Sequence, residues 1–147
     1  MGAKTMAKDV KYTTWVENEV GIQGVAGSLD GELAVTVSSP LKPVAGTNPE
    51  QLIGLSLATC LNATLQAEEK RHGLLHESVV RVKVEFGPDE PGYQFWLTAY
   101  VKIPQVDRAT GAAMLATAEQ RCPVAKLLAG SANVQVQLVD EFPEAEA

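Results

Sequence analysis

The chain is poor in the residues that several common activities depend on. It has only two cysteines in 147 residues, Cys60 and Cys122, and they lie 62 positions apart. That separation excludes the Cys-x-x-Cys spacings of zinc ribbons and thioredoxin-type sites. Basic charge is scarce: 12 Lys and Arg against 18 Asp and Glu leave a net charge of −6. Nucleic acid and anionic membrane surfaces both demand a basic face, so neither is expected as a partner. No apolar run reaches the ~18 residues of a membrane span. The opening Met-Gly-Ala-Lys-Thr-Met lacks the apolar core of a secretion signal. The expected location is the cytoplasm, where a pair of cysteines is more often free or redox-active than a structural staple. No Gly-x-Gly-x-x-Gly or phosphate loop occurs, and no Ser-His-Asp set stands out. No arginine precedes Arg71.

What is present describes a globular chain, 46% hydrophobic and 20% charged. One domain over residues 8–140 is expected, with flexible termini at 1–7 and 141–147, and Met6 is a candidate natural start. Val10, Tyr12, Thr14 and Val16 alternate, which predicts a half-buried strand over Lys8–Val16. Glu19–Gly27, with three glycines, reads as a poor strand or a loop. Ser28-Leu29-Asp30-Gly31 is a turn signal, and Leu33, Val35 and Val37 alternate into a second strand. Val80, Val82, Val84 and Phe86 mark a third strand over Ser78–Phe86. A Pro/Gly-rich turn follows, then a long strand over Tyr93–Ile103. Val106–Gln120 reads as a helix with Ala113, Met114, Ala116 and Thr117 near one face. Val124–Leu128 is a short helical turn, and Val134, Val136 and Leu138 form the last strand. The order predicts an α+β fold, with antiparallel sheet and helices on one face.

The chain is organised around Gly46–Leu61. Asn48 is a good N-cap, Pro49 suits the first helical position, and Gln51 sits where a capping box wants Glu or Gln. Glu50 lies in the first turn, where the helix dipole favours negative charge. The helix is expected to run to Arg71 or His72, stopped by Gly73. Leu52–Leu61 is apolar nearly all round, which implies cover on every side, from another helix or another subunit. The run Glu68-Glu69-Lys70-Arg71 reads as a solvated helix end.

Either cysteine alone reads most simply as an inert core residue. Cys122 precedes Pro123 at the start of a short helix, where unpaired N–H groups and the neighbouring Arg121 would lower its pKa. Cys60 lies mid-helix and gets no such help from its own helix. His72 and His76 have i, i+4 spacing, but Gly73 falls between them and no further metal ligands are evident. They read as two solvated residues near a helix end, and no metal site is expected.

Together these residues resemble the OsmC/Ohr family, whose members include organic hydroperoxide resistance proteins. Gly46-Thr47-Asn48-Pro49-Glu50-Gln51-Leu52 followed by Ala58-Thr59-Cys60 is similar to the central-helix signature. Arg121-Cys122-Pro123 resembles the second motif, and the Leu29-Asp30-Gly31 turn and element order agree. The resemblance runs from about Tyr12 to Leu138. It implies an intertwined cytoplasmic homodimer, with antiparallel sheets packed on a long buried central helix. It implies thiol peroxidase activity on organic hydroperoxides, with Cys60 attacking the peroxide and becoming a sulfenic acid. Cys122 would condense with it to a disulfide, which a dithiol, in many members the dihydrolipoyl group of a protein, would reduce. No metal, haem or flavin is needed. The resemblance also implies a thiol-site role for Glu50. Ten residues on one helix separate Glu50 from Cys60 by ~15 Å, so Glu50 would serve the Cys60 of a partner chain.

The resemblance breaks at one place. Family members carry an arginine beside the cysteine, either in the glycine-rich loop before the second strand or in the loop before the central helix. Ile22 or Gln23 stands at the first position here, and Ser38–Ala45 offers only Lys42. Lysine lacks the bidentate fork of arginine. Without a nearby cation a buried Cys60 would hold its proton and react slowly. Two rival readings follow: a non-catalytic member that binds an apolar ligand at the dimer interface, and a thiol redox sensor.

Overall fold

The fold is seen in a computed structural model that describes residues 8–145. The candidate start at Met6 and the ends of both termini lie outside the described residues. The architecture is α+β, with two three-stranded sheets. The chain divides into two compact units, one up to Asn48 and one from Pro49.

The first unit is a meander of β1 (Val16–Glu17), β2 (Gly24–Ser28) and β3 (Ala34–Val37), antiparallel throughout. The strand expected over Lys8–Val16 is corrected: residues 8–15 are not a strand, and pairing begins only at Val16. Tyr12 is 80% exposed, so the alternation there has no sheet face to bury. Conversely, the glycine-rich segment read as a poor strand supplies β2, which pairs on both edges. The Ser28–Gly31 turn joins β2 to β3 as expected. Asp30 Oδ1 accepts from Ser28 Oγ at 2.5 Å and from the Glu32 N–H at 3.0 Å, and Gly31 takes the left-handed φ of 79°. These bonds hold the Asp30 carboxyl below its usual pKa range.

The second unit is built on α1 (Pro49–Arg71), which starts and ends where its signals predict. Gly73, at φ 70°, turns the chain away, and the Leu74 N–H returns to the Glu69 carbonyl at 2.9 Å. The sheet of this unit holds β4 (Val79–Pro88), β5 (Tyr93–Lys102) and β6 (Val134–Leu138). The expectation of purely antiparallel sheet is corrected here. β4 and β5 are antiparallel, but β6 runs parallel to β5. The two helices α2 (Arg108–Arg121) and α3 (Pro123–Leu128) fill the crossover that a parallel pairing requires.

Val80, Val82 and Val84 face α1, and Gly54 is the point of closest approach. A Cβ there would lie 2.8 Å from Val84 Cγ2. Leu57, Leu61 and Leu65 of α1 are fully buried with Leu97, Ala99, Val101 and Met114. Cover on every side of α1 is not met within this chain, since Leu55 stays 65% exposed. α2 begins two residues later than its apolar pattern suggests, because Asp107 caps it by accepting from the Thr110 N–H at 2.8 Å. Its buried face is Gly111, Met114, Leu115 and Ala118, not the stripe through Ala113 and Ala116, which are exposed. Leu115 and Ala118 follow Met114 and Gly111 at helical spacing, and that row meets the core. In the acidic tail, Phe142 is half-buried, its ring centroid 4.2 Å from the Arg81 guanidinium carbon.

Candidate active site

α1 holds Cys60 half-buried against the apolar core, one turn after Leu57 and beside Leu61. The second cysteine comes from the joint between α2 and α3. Cys122 is at once the C-cap of α2 and the N-cap of α3, with extended φ and ψ of −71° and 116°. Its N–H bonds the Ala118 carbonyl at 2.8 Å, and its Sγ accepts from the Ala125 N–H at 3.4 Å. One residue therefore ends one helix and starts the next, and its side chain is fully buried. It is a neighbour of Cys60, which packs against the same apolar cluster, and the two free thiols interact electrostatically. Residues 62 positions apart in the chain are thus brought to one apolar cluster within one unit.

The lowered pKa expected for Cys122 is corrected. Burial pushes the thiol up, and the Ala125 N–H opposes this without overcoming it. The neighbouring Cys60 thiol pushes it further up. A helix N-terminus favours a thiolate, but here the loss of water outweighs it. Arg121, the cation next in the chain, directs its guanidinium to Glu68, with Nη1 3.7 Å from Oε1.

Glu50 is not brought to Cys60 in the same chain, since both lie on α1 with ten residues between them, ~15 Å of helix. Its Oε2 is buried and has no hydrogen-bond partner. Lys42 is exposed. Among the described residues no group of three or more His, Cys, Asp or Glu is placed to hold a metal ion. The two histidines make specific contacts instead. His72 Nδ1 lies 2.9 Å from the Glu68 carbonyl, and His76 Nδ1 lies 2.8 Å from Glu69 Oε1. No helix among the described residues is long and apolar enough to cross a membrane.

The reading of Glu68-Glu69-Lys70-Arg71 as a solvated helix end is also corrected. Glu68 and Glu69 are only 4% and 0% exposed. Glu69 accepts from the Ser78 hydroxyl at 2.7 Å and from the Glu77 and Ser78 N–H groups at 2.8 and 3.0 Å. Burial works against its charge, but these bonds and His76 outweigh burial and hold the carboxyl below its usual range. Glu68 Oε1 takes Arg71 Nη1 at 2.7 Å, with Arg121 on the same oxygen. A signal for this was available. Leu57, Leu61 and Leu65 are spaced by four, and the next step along that buried row is Glu69.

Comparison with known proteins agrees with this architecture. Residues 42–137 match the family described as OsmC-like protein. The chain is 27% identical over 132 residues to the organic hydroperoxide resistance protein OhrB of Bacillus subtilis, covering 86% of this chain and 97% of that one. Its similarity to OhrA of the same organism is 29% over 136 residues, covering 88% and 96%. Among solved structures, a protein from Lactobacillus casei superposes with a TM-score of 0.87 at 47% identity, over 92% of this chain and 95% of that one. The OhrB structure superposes with a TM-score of 0.78, over 87% and 98%.

Proposed function

The chain belongs to the OsmC family, and from that membership we propose that it is a thiol-dependent peroxidase that reduces organic hydroperoxides to alcohols. The Cys60 thiolate attacks one oxygen of the peroxide O–O bond. That bond breaks, the alkoxide leaves and takes a proton to become the alcohol, and Cys60 is left as a sulfenic acid. The Cys122 sulfur then attacks the sulfenic sulfur, the S–OH bond breaks, and water leaves with the Cys122 proton. The product is a Cys60–Cys122 disulfide. A dithiol, such as a dihydrolipoyl protein, reduces it by exchange and is itself oxidised to a disulfide.

The observation that carries this reading is that the two free thiols are neighbours at one apolar cluster. A sulfenic acid at Cys60 forms with its resolving partner already at the same cluster. The raised pKa of Cys122 fits the resolving role, because a protonated thiol beside Cys60 does not compete for the peroxide. The names of the Bacillus relatives, organic hydroperoxide resistance proteins, point to the same substrate class. The protein acts as a cytoplasmic homodimer in which Glu50 of one chain serves Cys60 of the other, and Glu50, Cys60 and Cys122 are its catalytic residues. The exposed Leu55 on α1 and the unpartnered Glu50 oxygen support a second copy on that helix.

The test is oxidation of the reduced protein with one equivalent of cumene hydroperoxide. The expected result is fast loss of both thiols, with the mass falling by two hydrogens. Thiol loss at the rate of a free cysteine overturns the proposal. One observation favours a second reading, a non-catalytic member of the family. The first arginine in the chain is Arg71, and its guanidinium is held by Glu68. Slow oxidation with an intact dimer would select that reading.

A further inference from the structure

Glu68 is a buried carboxylate that the proposed thiol chemistry does not use. It lies on α1 eight residues beyond Cys60, ~12 Å along the helix. Two guanidiniums converge on its Oε1. Arg71 belongs to the same helix, but Arg121 comes from the last turn of α2, one residue before Cys122. Arg121 thus ties the C-terminal end of α2 to the helix that carries Cys60.

The local geometry gives this tie its consequence. Cys122 is the single extended residue between α2 and α3. Its sulfur is therefore placed by where α2 ends. Disulfide formation demands Cβ atoms within ~3.5–4.5 Å of each other, so a small shift of that joint takes the thiol out of reach. Burial of Glu68 makes its pairing consequential, because a carboxylate removed from water is costly unless it is paired. We propose that Glu68 and Arg121 are positioning residues that hold Cys122 against Cys60, and so favour closure of the disulfide. Arg121 acts here through Glu68, with its charge committed to that carboxylate and not to either thiol.

This role presupposes the Cys60–Cys122 disulfide of the proposed function, but its test does not require peroxide chemistry. The reduction potential of the pair is measured by equilibration with dithiothreitol buffers, for the parent chain, Arg121→Met, Glu68→Gln and the double variant. Arg121 is half-exposed, so Arg121→Met carries the test even where Glu68→Gln folds poorly. The expected result is a roughly tenfold weaker tendency to form the disulfide in Arg121→Met, ~30 mV for a two-electron couple. The double variant is expected to lie no further from the parent than the larger single change. A potential unchanged in Arg121→Met overturns the proposal, and so does strict additivity of the two single changes. In parallel, sulfenic acid at Cys60 is trapped with dimedone in a Cys122→Ser background. Unchanged trapping when Arg121→Met is added confines the effect to the second step. Absence of trapping in Cys122→Ser itself overturns the peroxidase reading and leaves the potentials to decide the tie.

Discussion

Cys122 and Cys60 are neighbouring thiols, and full burial of Cys122 holds its proton above the ordinary thiol range. The two sulfurs therefore have unequal reactivity, since Cys60 is half-buried and Cys122 fully buried. Iodoacetamide at about pH 8, below the ordinary thiol range, is expected to alkylate half-buried Cys60 well before Cys122. Peptide mass mapping of partly labelled protein checks the order. Equal labelling of the two residues would contradict it. The same shift has a consequence for stability. A folded-state pKa raised above the ordinary value of 9.0 gives a contribution that is complete below that pH. It is lost as pH rises through the folded value. Urea unfolding across that alkaline range should show a steeper decline for the parent than for Cys122→Ala.

Glu69 carries the opposite sign. Its folded-state pKa is depressed below 4.5, so its contribution is present above that pH and is lost as pH falls through the folded value. The carboxylate joins the end of α1 to the start of β4 through Ser78, Glu77 and His76. Glu69→Gln keeps the size, replaces one acceptor oxygen with a donor, and removes the charge. It is expected to lower stability near neutral pH by about 1–3 kcal/mol. The difference from the parent should shrink on acidification below about pH 4.5. Parallel melts across that range check this, and a pH-independent gap would show that the charge is not what matters.

The helix–strand contact at Gly54 makes a third prediction. In an exposed helix Gly→Ala gains about 1 kcal/mol. Here the new methyl would sit 2.8 Å from Val84 Cγ2, and valine has little rotamer freedom to yield. Overpacking of this kind costs about 1–3 kcal/mol, so Gly54→Ala is expected to destabilise despite its better helix propensity. Val84→Ala removes the offending methyl. The double variant should therefore be more stable than the two single changes sum to, as measured by a double-mutant cycle in urea.

The α1 boundaries and the Asp30-Gly31 turn were legible because local signals and packing agree there. The failures share a cause. Alternation at Val10–Val16 says what a strand there would look like, but not whether a neighbouring strand pairs with it. The parallel β5–β6 pairing follows from the path of α2 and α3, which no local pattern encodes. Glu68 and Glu69 resemble a solvated end because carboxylates are rarely buried without partners, and their partners lie at Ser78, Glu77 and Arg121. The thiol environment inverted for a related reason. The N-terminus of α3 is visible in Cys122-Pro123, whereas the burial that overrides it depends on Met114, Ala118 and the α1 leucines packing together.

The proposed dimer and the proposed role of Glu50 are tested together by mixing inactive chains. On one helix Glu50 and Cys60 are ~15 Å apart, so the two cannot meet within a chain. If each active site takes Glu50 from one chain and Cys60 from the other, Glu50→Gln and Cys60→Ser are each expected to lose most hydroperoxide turnover as homodimers. In a heterodimer of the two, the chain bearing Glu50→Gln still supplies an intact Cys60 with its own Cys122. The chain bearing Cys60→Ser supplies an intact Glu50. One complete site forms, and turnover should return to about half of the parent level per heterodimer, counting one site of two. Subunit exchange is followed by native mass spectrometry, and activity is measured on the mixture with cumene hydroperoxide. No recovery in a mixture that has demonstrably exchanged would place Glu50 outside the site and return it to a role at the start of α1.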